Sequence, residues 1–334
     1  MKLAINGFGR IGRQVYKIFT DRFPNDVEII AVNDLTSPEI LAYLLKYDTV
    51  YGTWERDIHA QGDEIIVDGK RIKVLKEKDP ALLPWGAMEI DTVIESTGLF
   101  TNAEGMQKHI TAGAKKVVLS APAKGEGVPT FVLGVNSDKY NGETMINNAS
   151  CTTNCITPIV EVIDRCFGIE KVMMTTVHSY TASQALLDGP KGKDKREMRA
   201  AAENIVPTTT GAAIATTQVI THLKGKFDGL SVRVPTPVVS LSDFVFLTTN
   251  NTTVEEVNNA IKEAAKEPRY KGILDWTDEE LVSKDFVGNS HSSIADLKLT
   301  KVIDGNFVKV VSWYDNEWGY SNRLVEMTLK VCNS

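Results

Sequence analysis

Short apolar runs alternate with longer amphipathic stretches over the first part of the chain. KLAI at 2–5 runs into a cluster of glycines, after which Val15, Ile18 and Phe19 repeat at helical spacing within QVYKIF. The spacing predicts strand, tight turn and helix. A second apolar strand, VEIIAVND at 27–34, follows and ends in Asp34. EIIVDG and KRIKVL then read as two strands split by an Asp-Gly turn. DTVIEST at 91–97 and KKVVLSAPA at 115–123 have apolar centres and small polar ends, as parallel strands pointing toward a ligand crevice do. Between them AEGMQKHITAGA reads as a helix closing on Gly113, with its His109 assigned to the surface or to packing.

The pattern changes near position 150. Ile159, Val162, Ile163, Cys166 and Phe167 form a helical stripe, which puts Ser150 and Cys151 at a helix N-terminus and lets Pro158 bend the first turns. KVMMTTVHSYT at 171–181 is an apolar strand that ends in His178. LSDFVFLTT and KVIDGNFVKVVSWYD read as further strands, with the helix VEEVNNAIKEAAK between them, and DNEWGYSNRLVEMTLKV as a last helix. The fold class is therefore α/β: a Rossmann-type dinucleotide-binding domain over 1–150, then an α+β catalytic domain over 151–315 with a mostly antiparallel sheet and helices on one side.

Composition narrows the function classes. A chain of 334 residues exceeds what one core usually serves, so two domains are the default. The net charge of −6 argues against nucleic acid as the main partner. No apolar run approaches the roughly 18 residues of a membrane span, and MKLAINGFGR does not have the build of a signal peptide. Four cysteines are too few for a secreted disulfide framework. The expected location is the cytoplasm.

Gly7, Gly9 and Gly12 carry the spacing G-x-G-x-x-G between strand and helix, and Asp34 ends the second strand about 20 residues on. Such glycines make the turn, admit backbone to a pyrophosphate and let helix pack on strand, and the helix start favours the phosphates. An acid at Asp34 meets a ribose 2′-OH and repels a 2′-phosphate, which favours NAD over NADP. Thr97 and Ser120 are candidate contacts by position alone, and either serves equally as a strand cap.

NNASCTTNCITP at 147–158 poses the chemical question. A disulfide between Cys151 and Cys155 fits poorly within a helix, and five scattered histidines do not make a metal site, so none is expected. A helix start stabilises a thiolate at Cys151, whereas Cys155 lies one turn deeper as a small buried residue. His178, at a strand end, has the chemistry to activate that thiol, although a lone histidine is more often structural. Thr208 to Thr210 read locally as a turn before the helix GAAIATTQVI.

INGFGRIG, NASCTTNC, TTVHSYT, PTTTGAA, RVPTP and SWYDNEWGYSN occur in that order from end to end. With them the chain resembles the glyceraldehyde-3-phosphate dehydrogenases, the phosphorylating enzymes of glycolysis. The resemblance implies NAD as cofactor, Cys151 as nucleophile and His178 as base, with a hemithioacetal and then a thioester on Cys151 that inorganic phosphate resolves. The backbone N–H of Cys151 and the His178 side chain are the expected oxyanion donors. It implies cofactor contacts from Gly7, Gly9, Arg10, Ile11, Gly12, Asp34, Lys78, Thr97, Ser120 and Asn316, the last near the nicotinamide carboxamide. It assigns Thr181, Arg196 and Arg233 to the substrate phosphate, with Arg199 as the competitor for Arg196. Ser150, Thr152, Thr210 and Gly211 fall to the attacking phosphate. The last helix, 316–334, is expected to complete the NAD domain, and the loop LLDGPKGKDKREMRAA to pack near a neighbouring subunit's cofactor in a homotetramer. Two alternatives stand beside this one. The first is erythrose-4-phosphate dehydrogenase, which shares the Cys–His pair; the second is a binding protein on a catalytically dead scaffold.

Overall fold

The computed structural model describes residues 1–191 and 194–333. The chain forms two compact units: Met1–Phe131 with Lys139–Ala149 and the chain from Ser321 onward, and Val132–Asp138 with Ser150–Tyr320.

The first unit is built on an eight-stranded sheet. Its spatial order is Met145–Asn147, Lys116–Leu119, Thr92–Glu95, Lys2–Asn6, Glu28–Asn33, Lys70–Leu75, Glu64–Val67 and Ile58–Gln61. The first six run parallel, and the last two add antiparallel hairpins. Leu3, Ala4 and Ile5 are all buried, as a central parallel strand covered on both faces requires. The Asp-Gly turn is a tight hairpin with both residues left-handed, Asp68 at φ 49° and Gly69 at φ 80°. Helix Arg10–Arg22 buries Val15, Ile18 and Phe19, the residues whose spacing predicts it.

The helix expected before Gly113 spans Ala103–Thr111, capped by the Asn102 side chain on Gly105 N–H. Its His109 is fully buried and not at the surface. Helix Trp318–Cys332 is held to the first sheet by Lys116 Nζ on Val331 O at 2.6 Å and by Thr92 Oγ1 beside Cys332 Sγ at 3.2 Å. Ser334, the end of the expected 316–334 range, lies outside the described residues.

The second unit has a second eight-stranded sheet: Val206–Thr209, Phe227–Val234, Ile169–Ser179, Ser240–Thr248, Phe307–Tyr314, Ser293–Asp296 and Leu274–Thr277 in order, with Lys301–Ile303 paired to Phe307–Tyr314. Its pairings are antiparallel except those joining Ile169–Ser179 to Phe227–Val234 and Leu274–Thr277 to Ser293–Asp296. KVIDGNFVKVVSWYD is thus a hairpin and not one strand, and its Asp304-Gly305 turn has both residues left-handed. Thr208 and Thr209 belong to an edge strand, not to a turn.

Helix Cys151–Phe167 packs on this sheet, with Pro158 inside it and Ile159, Val162 and Ile163 fully buried. Cys166 does not continue that stripe; it is exposed. The last helical turn carries Asp164 and Arg165 into ion pairs with His222 and Glu267, and so faces solvent. No helix among the described residues is long and apolar enough to cross a membrane.

Candidate active site

Two sites emerge, one in each unit. The first is the glycine turn. Gly7 has φ 90°, and a Cβ there would lie 2.6 Å from Thr97 N and 2.8 Å from Ser96 C. A Cβ on Gly12 would run into the Gly7 carbonyl oxygen, whereas one on Gly9 would meet nothing within 4 Å. Gly7 and Gly12 therefore serve the protein's own packing, and the space at Gly9 is open. Gly9 is the cap residue of helix Arg10–Arg22 and supplies no side-chain cap to its first turn. Asp34 turns back on this loop: Oδ2 accepts from Phe8 N–H and Oδ1 from Thr36 N–H, both at 3.0 Å. Open space, an uncapped helix start and an acid at the end of the second strand fit a dinucleotide.

The remaining expected contacts ring that turn unevenly. The Arg10 guanidinium is paired with Asp48 at 3.1 Å. Lys78 is exposed, just beyond Glu77, whose N–H donates to Asn33 Oδ1 at 2.9 Å. Thr97 donates from N and Oγ1 to Glu95 Oε1 at 2.8 and 2.5 Å, and Ser120 N–H donates to Glu95 O at 2.9 Å. Glu95 is a buried hub that sequence reasoning missed. It also accepts from Asn6 Nδ2 at 2.6 Å and stands 3.0 Å from His109 Nε2, while Trp85 Nε1 donates to His109 Nδ1 at 3.0 Å.

The second site lies at the N-terminus of helix Cys151–Phe167. Ser150 caps it, its Oγ accepting from Thr153 N–H at 3.0 Å. Ala149, just before the cap, is held left-handed at φ 54°, a strained setting for a residue with a Cβ. Cys151 is half-buried, with Sγ 3.6 Å from His178 Nε2. His178 Nδ1 sits 2.7 Å from Ser179 O and 2.5 Å from Arg233 Nη1, and Arg233 Nη1 also reaches Ser179 O at 3.3 Å. The adjacency is a matter of register, because His178 and Arg233 are directly paired on parallel strands.

Two further residues support this cluster, and neither is flagged by pattern. Tyr314 OH is 2.9 Å from Thr152 Oγ1, and the Tyr314 ring stands edge-on to His178 at 6.1 Å. Ser240, together with Ser179, fixes Asn316: its Oδ1 accepts from Ser179 Oγ at 2.9 Å and from Ser240 Oγ at 3.1 Å. The only signal for Tyr314 was its place two residues before Asn316 in SWYDNEW.

The electrostatics differ from a simple helix-start thiolate. Burial pushes the Cys151 thiol up, opposed by the Arg233 charge and by hydrogen bonding to Thr152. Burial, and then Arg233, pull His178 down from 6.5 to about 3. Both shifts favour a neutral thiol beside a neutral imidazole. Cys155 is pushed up to about 12 by burial, as befits a thiol with no access to solvent.

The expected anion-binding groups are not all drawn to this cluster. Thr181 Oγ1 is 2.8 Å from Ser183 Oγ, in the segment that follows His178. Thr210 Oγ1 accepts from Ala212 N–H at 3.2 Å, and Gly211 caps helix Ala212–Val219 with open space where a Cβ would be. That helix touches the Cys151 helix through Thr216 and Thr157, whose hydroxyls are 3.3 Å apart. Arg199 is committed to Asp188 at 2.8 Å, while the exposed Arg196 side chain makes no hydrogen bond or ion pair among the described residues. Gly192 and Lys193 of the same loop lie outside the described residues.

Both sites fall in segments that match models of one family. Residues 1–103 match the family model described as glyceraldehyde 3-phosphate dehydrogenase, NAD binding domain, and residues 150–316 match that family's C-terminal domain. The chain is 52% identical over 335 residues to a glyceraldehyde-3-phosphate dehydrogenase of Streptomyces coelicolor, covering 100% of this chain and 99% of that one. It is 52% identical to the Geobacillus stearothermophilus protein of the same name, covering 100% and 98%. Identity is also 52% to glyceraldehyde-3-phosphate dehydrogenase 1 of Bacillus subtilis, covering 98% and 97%. The chain belongs to the glyceraldehyde-3-phosphate dehydrogenase family. Its cofactor is NAD, and the glycine turn that fits a dinucleotide lies within the matched NAD binding domain of that family.

Proposed function

We propose that the protein oxidises D-glyceraldehyde 3-phosphate with NAD and inorganic phosphate, giving 1,3-bisphosphoglycerate, NADH and a proton. The observation that carries this reading is the 3.6 Å approach of Cys151 Sγ to His178 Nε2 at a helix start, with Arg233 alongside. Sγ adds to the aldehyde carbon as the thiol proton passes by way of His178 Nε2 to the carbonyl oxygen, giving a hemithioacetal, the developing oxyanion being met by the Cys151 N–H and the protonated His178 side chain. His178 Nε2 removes the hemithioacetal hydroxyl proton as the C–H bond breaks, leaving a thioester on Cys151. NAD, when bound, supplies the hydride acceptor. A phosphate oxygen then attacks the thioester carbon, the C–S bond breaks, and the thiolate leaves. In the tautomer that carries its proton on Nδ1, Ser179 O accepts from the ring and Nε2 is left with the lone pair a base requires.

Gly7, Gly9, Arg10, Ile11, Gly12, Asp34, Lys78, Thr97, Ser120 and Asn316 would hold the cofactor. Asn316 has its amide oxygen occupied by two serines, which leaves its N–H₂ for a carbonyl partner. Thr181, Arg196 and Arg233 would hold the substrate phosphate, and Ser150, Thr152, Thr210 and Gly211 the attacking one. The Arg196 guanidinium, with no partner among the described residues, set against the paired Arg199, supports that choice between the two arginines. The same reading makes the protein a cytoplasmic homotetramer. Leu186 and Leu187, at 79% and 76% exposure in the loop expected at a subunit contact, support it. A rate matrix tests the activity: glyceraldehyde 3-phosphate against erythrose 4-phosphate, NAD against NADP, with and without phosphate. Preference for erythrose 4-phosphate, or turnover indifferent to phosphate, would sink the assignment.

A further inference from the structure

In the first unit the carboxyl ends of four neighbouring parallel strands, Thr92–Glu95, Lys2–Asn6, Glu28–Asn33 and Lys70–Leu75, are joined by one relay of hydrogen bonds. Its members Glu95, Asn6 and Asn33 are buried, and the relay has a direction. Asn33 meets the backbone of Glu77 twice, Oδ1 accepting from Glu77 N–H and Nδ2 donating to Glu77 O, both at 2.9 Å. Its amide therefore cannot be turned over. Asn33 Nδ2 also donates to Asn6 Oδ1 at 2.7 Å, which commits Asn6 Nδ2 to donate to Glu95 Oε2 at 2.6 Å. From the other side Trp85 Nε1, a donor only, occupies His109 Nδ1 at 3.0 Å, and His109 Nε2 stands 3.0 Å from the same Glu95 oxygen. Thr97 N–H and Oγ1 donate to Glu95 Oε1 at 2.8 and 2.5 Å. Donors converge on both oxygens of residue 95. A carboxylate accepts from every side, whereas an amide there turns its N–H₂ on donors in either orientation.

We propose that Glu95 is a positioning residue for NAD: its carboxylate, through this relay, holds the loops after three of the strands in the arrangement that receives the dinucleotide. Two observations point to the cofactor and not to the core alone. Thr97 at one end of the relay, and Lys78 next to Glu77 at the other, both belong to the proposed cofactor set. The glycine turn is seated on the segment that Glu95 fixes: Ser96 Oγ donates to Gly7 O at 2.7 Å, and a Cβ on Gly7 would lie 2.6 Å from Thr97 N. The relay also runs along strand carboxyl ends, where an open parallel sheet binds its ligand. Glu95 is wholly buried, so it acts through the loops it holds. The inference rests on the proposed cofactor set and adds to it the residues that keep the set in place.

The test moves the carboxylate by one place. Glu95→Gln alone sets an amide against the donors of Asn6, His109 and Thr97, and Asn6→Asp alone sets two carboxylates at the 2.6 Å contact. The double variant, Glu95→Gln with Asn6→Asp, restores the pattern. An acid at position 6 accepts from Asn33, from the new amide at position 95 and from His109 Nε2, which already stands 3.4 Å from Asn6 Nδ2. Calorimetric titration of the full-length protein with NAD, and urea unfolding of the same samples, separate the two roles. Each single variant should bind NAD about 10-fold more weakly, as when the receptive arrangement falls to a tenth of the population, and the double variant should return to within about threefold of wild type. A purely structural carboxylate would lower the urea midpoint and leave NAD affinity unaltered, which overturns the proposal. A double variant that binds NAD no better than Glu95→Gln, or does not fold, overturns it too. Asn33→Ala opens the relay at the Glu77 end and should weaken NAD with Glu95 in place; an unaltered affinity overturns the proposal even where the single variants at 95 and 6 do not fold. Lys78→Ala should weaken NAD through the contact itself. Unaltered affinity there overturns the cofactor set on which the inference rests, whereas an unrescued double variant overturns the relay alone.

Discussion

Adding one methyl group to the glycine turn separates the residues that serve the fold from the one that serves the ligand. Gly9 has φ −72° and ψ −159°, an extended setting open to any L-residue, and its Cβ would touch nothing within 4 Å. Gly9→Ala should therefore leave the free protein as stable or up to about 0.4–1 kcal/mol more stable, because only the unfolded chain loses freedom. Gly12 is the opposite case. Its Cβ would collide with the Gly7 carbonyl and sit 3.2 Å from Ile5 Cγ2, both inside the unit's own packing. Overpacking of this kind costs about 1–3 kcal/mol. If the empty volume at Gly9 belongs to the pyrophosphate, the same cost falls on binding in Gly9→Ala, a loss of about 5- to 150-fold in NAD affinity. Urea unfolding of the two apo variants, with calorimetric titration of NAD, reads both quantities. Gly9→Ala should weaken NAD with no loss of stability, and Gly12→Ala should lose both. An unstable Gly9→Ala that still binds NAD normally would refute the assignment of that space.

Replacing His178 with Asn should slow hydride transfer by about 10²- to 10⁴-fold, measured as the rate of the NADH burst. Replacing Asp34 with Gly should weaken NAD and narrow its advantage over NADP; equal kcat/KM for both cofactors in the unaltered protein would show that Asp34 does not face the 2′ position. Because His178 is held near 3 when folded and titrates near 6.5 when unfolded, the unfolded chain takes up its proton first as pH falls. This group's contribution is complete above about 6.5 and is lost toward 3 at about 1.4 kcal/mol per pH unit, a slope that urea titrations of His178→Asn should lack. Limited iodoacetamide should label Cys151 and abolish activity in step while the buried Cys155 stays intact; matched labelling of both would contradict the burial that separates them.

The first sheet could be read from sequence because its strands are short apolar runs punctuated by glycine, and those glycines have local causes: a left-handed φ at Gly7 and a carbonyl against Gly12. The helix start at Ser150 was equally legible, since the cap and the apolar stripe are both local signals. Periodicity failed at Cys166, where the final turn follows its charged neighbours to the surface. His109 took the packing alternative of the two the sequence left open, and its partners Trp85, Asn6 and Glu95 come from separate stretches of the chain. Tyr314 and Ser240 went unseen because their partners are distant in sequence: Thr152 reaches Tyr314 by helix packing on the sheet, and Asn316 lies near Ser240 because Ser240 pairs with Tyr314. Register also sets the His178–Arg233 contact, and with it the depressed basicity that a helix-start argument does not contain.

The central claim, a thioester on Cys151 resolved by phosphate, is tested most directly by mixing enzyme, NAD and glyceraldehyde 3-phosphate without phosphate and following NADH through the first turnover. The account predicts a burst of one NADH per Cys151 followed by slow hydrolysis, with rapid steady turnover restored when phosphate or arsenate is added. Fast, sustained turnover to the free acid without phosphate would contradict it.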